Sequence, residues 1–119
     1  MRPKAGAHLW DAAEAAKNIR TVAEGKARND LDNDLIIRSA IERLIELLGE
    51  ALNRLRRDDP ETAARVPGFD KVIGMRNILA HEYGDIDYEI VWSAVTNRVP
   101  ELIVVLDELV AEAMPSIGE

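Results

Sequence analysis

Residues 31–57 read LDNDLIIRSAIERLIELLGEALNRLRR, and their periodicity decides the fold. Ile37, Ile41, Leu44, Leu48, Leu52 and Leu55 recur every three or four positions, which aligns them along one side of a coil with 3.6 residues per turn. Ile36, Ala40, Ile45, Leu47 and Ala51 widen this stripe beyond a narrow seam. A helix with so broad an apolar surface is expected to be covered on two sides, at the centre of a bundle or partly in a dimer interface. The segment NDLDND, residues 29–34, offers several carboxylate and amide side chains able to cap this helix, which is expected from about Leu31 to Arg57.

Upstream, Leu9, Ala12, Ala13, Ala16, Ile19, Val22 and Ala23 predict a first helix from about Ala7 to Arg28, frayed near Gly25. His8 reads as a solvated residue before it, and Trp10 and Trp92 as core or interface anchors. Downstream, DDPETAARVPG breaks the pattern with two prolines and a glycine, a connection with room for one short turn at Glu61–Arg65. A third helix starts near Phe69 or Asp70, carries Val72, Met75 and Leu79, and ends before Gly84. Asp85 and Asp87 can cap a fourth, holding Ile90, Val91, Ala94 and Val95. Pro100 must kink or restart that helix, because proline has no backbone donor, and Leu102, Val105, Leu106 and Leu109 continue the stripe beyond it. The expected architecture is all-α: one domain over residues 1–119, an antiparallel four-helix bundle with its last helix broken near Pro100.

Composition narrows the function. The 119 residues contain no cysteine, so disulfides, thiolate metal sites and cysteine nucleophiles are excluded, which suits a cytoplasmic protein. The start, MRPKAGAHLWDAAEAA, carries Asp11 and Glu14 where a signal peptide needs an unbroken apolar run, and no segment approaches a membrane span. Net charge is −7, which opposes broad attraction to nucleic acid, although Arg54, Arg56, Arg57 and Arg65 leave room for a local basic groove. Glu42, Glu46 and Glu50 repeat every four residues without the Glu-x-x-His partners of a di-metal bundle, and no glycine-rich phosphate loop is present. Neither metal nor organic cofactor is expected.

The chemistry-bearing stretch is RNILAHEY, residues 76–83, which holds one of two histidines and one of two tyrosines in the chain. On an ideal helix Arg76, Ala80 and Tyr83 share a face, Asn77 and His81 share the neighbouring one, and both flank the Val72–Met75–Leu79 stripe. Arginine supplies a permanent fork for phosphate oxygens, and histidine exchanges protons near neutral pH. Together they suffice for metal-free RNA cleavage by internal transesterification, with histidine moving the proton and arginine stabilising the phosphorane. One histidine cannot be base and acid at once, so two protomers meeting at a shared cleft would complete the site. Surface arginines and helical histidines are also commonplace without catalysis, and a non-catalytic helical module docking a nucleotidyltransferase or nucleic acid stays open as the alternative.

The spacing Arg76-x4-His81-x-Tyr83 resembles the R-x4-H-x-Y signature of HEPN-domain ribonuclease toxins of the HepT type. IERLIELLGEAL at 41–52, GMRNILAHEYGDID at 74–87, IVWSAV at 90–95 and VPEL at 99–102 are similar to the family's second helix, motif segment and last helices, so the resemblance runs from Leu9 to Leu109. It implies a homodimeric HEPN-like bundle and the toxin of a type VII-like toxin–antitoxin pair, with RNA as substrate and Arg76 and His81 as the ribonuclease residues. Tyr83 would accept AMP from a nucleotidyltransferase antitoxin. Asn77, Glu46 and Glu50 are the expected supporting residues.

Overall fold

The computed structural model describes residues 1–81 and 86–113, with Ala80 and His81 described by their helical backbone alone. Helix α1 (Ala5–Ala23) is followed by a single turn, α2 (Asp30–Asn33), and by the long helix α3 (Leu35–Asp58). A second single turn, α4 (Pro60–Ala63), leads into α5 (Phe69–His81). Helix α6 (Tyr88–Ser93), a five-residue π-wound segment (Ala94–Arg98) and α7 (Val99–Ala113) complete the described chain. The fold is all-helical.

The boundaries follow from local chemistry. Helix α1 ends at Ala23, with its apolar pattern and short of the expected Arg28, because the chain turns through Gly25 at φ +74°, a conformation that favours glycine. The stretch expected to be one helix from Leu31 is divided at Asp34, whose extended backbone frees its carboxylate to accept from the N–H groups of Ile36 and Ile37 at 3.0 and 3.2 Å. Asp59 does the same for α4, accepting from the Thr62 N–H at 3.2 Å, with Pro60 in the first helical position where no donor is needed.

Pro100 acts on the turn before it. Because it cannot donate to the carbonyl four residues back, the chain winds more widely over Ala94–Arg98, and the Val99 N–H reaches the Ala94 carbonyl five residues away. Pro100 then occupies the second position of α7, which needs no intrahelical donor.

Helix α3 is central. It packs against α1 and α5, while α1 also packs against α7. Ile41, Ile45, Leu48, Leu52 and Leu55 of α3 join Leu9 and Ile19 of α1 and Leu102, Leu106 and Leu109 of α7 in one core. Of the residues that widen the α3 stripe, Ile45 and Ala51 are buried with the core, whereas Ile36 is 80% exposed and Leu47 lies at the surface. Trp10 is also half exposed rather than a core anchor, whereas Trp92 packs against the core. His8, expected to be solvated, is instead a residue of α1 whose Nε2 lies 2.6 Å from Asp58 Oδ2 at the end of α3. This pairing and the Arg56–Phe69 contact show that α3 runs antiparallel to both α1 and α5. No helix among the described residues is long and apolar enough to cross a membrane.

Candidate active site

Helix α5 presents Arg76 to α3, and the contact is unusually close. The Arg76 stem lies against Gly49, where a methyl group would overlap Arg76 Cβ and sit 2.6 Å from Cγ. A glycine inside a helix costs about 0.5–1 kcal/mol relative to alanine, and here that cost leaves room for the Arg76 stem to rest on α3. Periodicity alone passes over this residue.

From this seat the guanidinium spreads toward two oxygen acceptors. Nη1 donates to the Asn77 side-chain carbonyl at 3.0 Å, and Nη2 lies 3.6 Å from Glu50 Oε1. Nε is buried and has no acceptor among the described residues. The Arg76 side chain is only 22% exposed, so solvent screening of its charge is reduced without being abolished. Glu50 thus stands beside Arg76. Glu46 does not: one turn earlier on α3, it accepts from Arg43 Nη1 at 3.2 Å.

His81 is the last residue of α5, five positions after Arg76. Its side chain and the whole of Tyr83 lie outside the described residues. The chain re-enters description at Ile86, and α6 is anchored directly afterwards. The Asp87 carboxylate accepts from the Glu89 N–H at 2.9 Å, and the Tyr88 hydroxyl donates to Glu42 Oε1 on α3 at 2.5 Å. Burial, reinforced by the Glu42 carboxylate, pushes the Tyr88 phenol up to about 12. Glu89 meets Arg28 Nε at 2.9 Å, off the N–H axis and therefore as an ion pair rather than a hydrogen bond, while Arg28 Nη1 reaches Asp32 at 3.0 Å. Both ends of the segment that carries Tyr83 are therefore fixed to the bundle.

Beside α5 lies a largely apolar cleft of about 760 Å³, floored by Ile45 and Leu48 and walled by Met75, Leu79, Val95 and Leu102. At its rim Ile78 and Ile90 are 51% and 60% exposed. Of the clustered arginines, Arg65 is held by both carboxylate oxygens of Glu112, and the Arg56 guanidinium sits 5.5 Å from the centre of the Phe69 ring. Among the described residues no three histidine or carboxylate side chains converge as metal ligands would. What the described site offers is a half-buried cationic fork in a fixed orientation, suited to phosphate oxygens.

Comparison with known proteins gives this arrangement a context. Residues 12–109 match the family model described as "Ribonuclease HepT-like". "Putative RNase MJ1380" of Methanocaldococcus jannaschii is 34% identical over 96 residues, which cover 81% of this chain and 87% of that protein. "Putative RNase MJ1216" of the same organism is 30% identical over 96 residues, 81% of this chain and 78% of the relative. "Probable ribonuclease HepT" of Thermococcus cleftensis is 27% identical over 95 residues, 80% of this chain and 86% of the relative. No solved structure matches the chain.

Proposed function

This chain belongs to the HepT-like ribonuclease family, and from that premise we propose that it cuts RNA with Arg76 and His81 through metal-independent internal transesterification. His81 takes the proton from a ribose 2′-hydroxyl as that oxygen attacks the adjacent phosphorus, or returns a proton to the departing 5′-oxygen. Arg76 neutralises the charge that accumulates on the phosphorane oxygens. The P–O5′ bond breaks, leaving a 2′,3′-cyclic phosphate on one fragment and a 5′-hydroxyl on the other.

The observation that carries this reading is the Arg76 fork, held between Glu50 and Asn77 five residues before His81 on the same helix. Orientation of a guanidinium before substrate arrives lowers the reorganisation needed during reaction. Asn77 and Glu50 act as positioning residues. Glu46, the other carboxylate expected to support the site, pairs instead with Arg43 one turn away.

Two further parts belong to the proposal. A homodimer supplies the second histidine, and the apolar cleft with Ile78 and Ile90 at its rim supports an interface beside α5. The protein is the toxin of a cytoplasmic toxin–antitoxin pair, silenced when a nucleotidyltransferase antitoxin transfers AMP to Tyr83. An anionic nucleotide attached two residues from His81 would occupy the space that the RNA phosphate requires.

The test uses the full chain and RNA in excess EDTA. Fragments ending in 2′,3′-cyclic phosphate are expected, and a 2′-deoxy substitution at the cut nucleotide must abolish cleavage there, since it removes the nucleophile. Cleavage that persists at the deoxy position, or that requires a divalent ion, contradicts the mechanism. Incubation with the antitoxin and ATP is expected to add AMP mass to the unsubstituted chain and none to Tyr83→Phe.

A further inference from the structure

We propose that Gly49 is a positioning residue for Arg76: the bare backbone of α3 at this point is a seat that fixes where the guanidinium stands relative to α3 and its Glu50. The inference rests on the reading of Arg76 as a catalytic group.

The geometry is specific. A Cβ at position 49 would meet Arg76 at Cβ and Cγ, the root of the side chain, and approach Cδ at 3.5 Å. A flexible tip could swing aside from such a collision. The root moves only if α5 shifts or turns against α3. By contrast, a Cβ at Gly74 on α5 would meet nothing within 4 Å, so close packing alone gives that glycine no comparable role.

The seat also belongs to a reciprocal pair. Gly49 receives the stem, the next residue Glu50 meets Nη2, and on the facing helix Asn77 follows Arg76 and accepts from Nη1. Two consecutive residues on each helix therefore determine the position and direction of one guanidinium. A side chain at position 49 separates the helices and carries Arg76 away from Glu50, while His81 moves with α5. The distance from Arg76 to any group held by α3 or by a partner protomer then changes. Misplacement of a catalytic group by about 1 Å can cost roughly a hundred-fold in rate.

The experiment compares Gly49→Ala with Ile19→Val, a substitution in the buried face of α1, in RNA cleavage and thermal melting. Gly49→Ala is expected to lower kcat by about a hundred-fold while KM changes by no more than about three-fold. Ile19→Val is expected to keep kcat within about three-fold of the unsubstituted chain. A second arm measures the stability of Gly49→Ala, Arg76→Gly and the double variant, in which the overlapping Cβ is gone. The double variant should be clearly more stable than the sum of the single losses predicts, and it should regain the fold if Gly49→Ala alone does not fold.

Near-normal kcat in a folded Gly49→Ala chain overturns the proposal, as does an equal loss in Ile19→Val or strict additivity of the stability losses. Arg76→Ala, assayed alongside, separates the two claims. If it still cuts RNA, the catalytic assignment of Arg76 fails, and the stability arm alone then decides whether Gly49 seats that side chain.

Discussion

Replacing Tyr88 with phenylalanine removes one oxygen and tests how α6 is held to α3. The hydroxyl donates to a carboxylate, Glu42 Oε1, at 2.5 Å across 46 residues of sequence, in a half-buried setting. A hydrogen bond to a charged acceptor contributes about 1.5–3 kcal/mol. Partial exposure of both partners puts this one at the lower end, about 1.5 kcal/mol. A chain of 119 residues unfolds with an entropy of about 0.25 kcal/mol/K, so Tyr88→Phe should lower Tm by about 6 °C. Denaturant or thermal melts at one fixed protein concentration provide the assay, because association would otherwise shift the midpoint. Glu42→Gln keeps an acceptor but removes its charge, and its cost should largely disappear in the Tyr88→Phe background, giving a coupling of about 1 kcal/mol.

The pH dependence has a definite sign. A phenol raised to about 12 favours its protonated form in the fold, so its contribution is complete below the ordinary value near 10 and is lost as pH rises through about 12. Tyr88→Phe should flatten that alkaline loss. A coupling below about 0.3 kcal/mol, the scatter expected of independent sites, would refute the tether.

Asp59 is buried and accepts from the Arg2 N–H at 2.8 Å and the Thr62 hydroxyl at 2.7 Å, contacts that hold its carboxyl down to about 2. Its contribution is complete above the ordinary carboxylate value and is lost as pH falls through about 2, so Asp59→Asn should show a weaker acid loss in melts between pH 5 and pH 1.5 than the unsubstituted chain. Asp34→Ala removes the cap of α3 and should cost about 1 kcal/mol, read from the shift in denaturation midpoint. Ile78→Asp and Ile90→Asp place charge at the rim of the apolar cleft; sedimentation should report monomers with helical content retained, and a persisting dimer would move the interface elsewhere.

The parts of the fold that sequence makes legible are those governed by neighbours along the chain. The α3 stripe through Ile41, Leu48, Leu52 and Leu55 is buried because a single periodicity specifies it. Pro100 announces a break because its missing donor is a local fact. The π winding that accommodates it over Ala94–Arg98 is less legible, since its length depends on how α6 and α7 both meet the bundle. His8 is misread for a related reason: its partner Asp58 lies 50 positions away, and nothing near His8 reveals it.

At the candidate site the same division holds. Arg76, Asn77 and His81 fall within six residues, so their spacing is visible in the sequence. Gly49 carries only half a signal, the cost of a glycine inside a helix, because the side chain that requires it stands on another element. Glu46 and Glu50 look equivalent at a four-residue repeat; the crossing of α5 over α3 gives Glu50 the contact with Arg76 and leaves Glu46 with Arg43.

The most direct measurement is the single-turnover rate of RNA cleavage by Arg76→Ala and His81→Ala chains whose melts and helical content match those of the unsubstituted protein. Loss of general acid–base help costs about 100- to 10,000-fold, and loss of an oriented charge at the phosphorane about 100- to 1,000-fold. Each variant is therefore predicted to fall by at least about a hundred-fold. Cleavage within a few-fold of the unsubstituted rate by both folded variants would contradict the account.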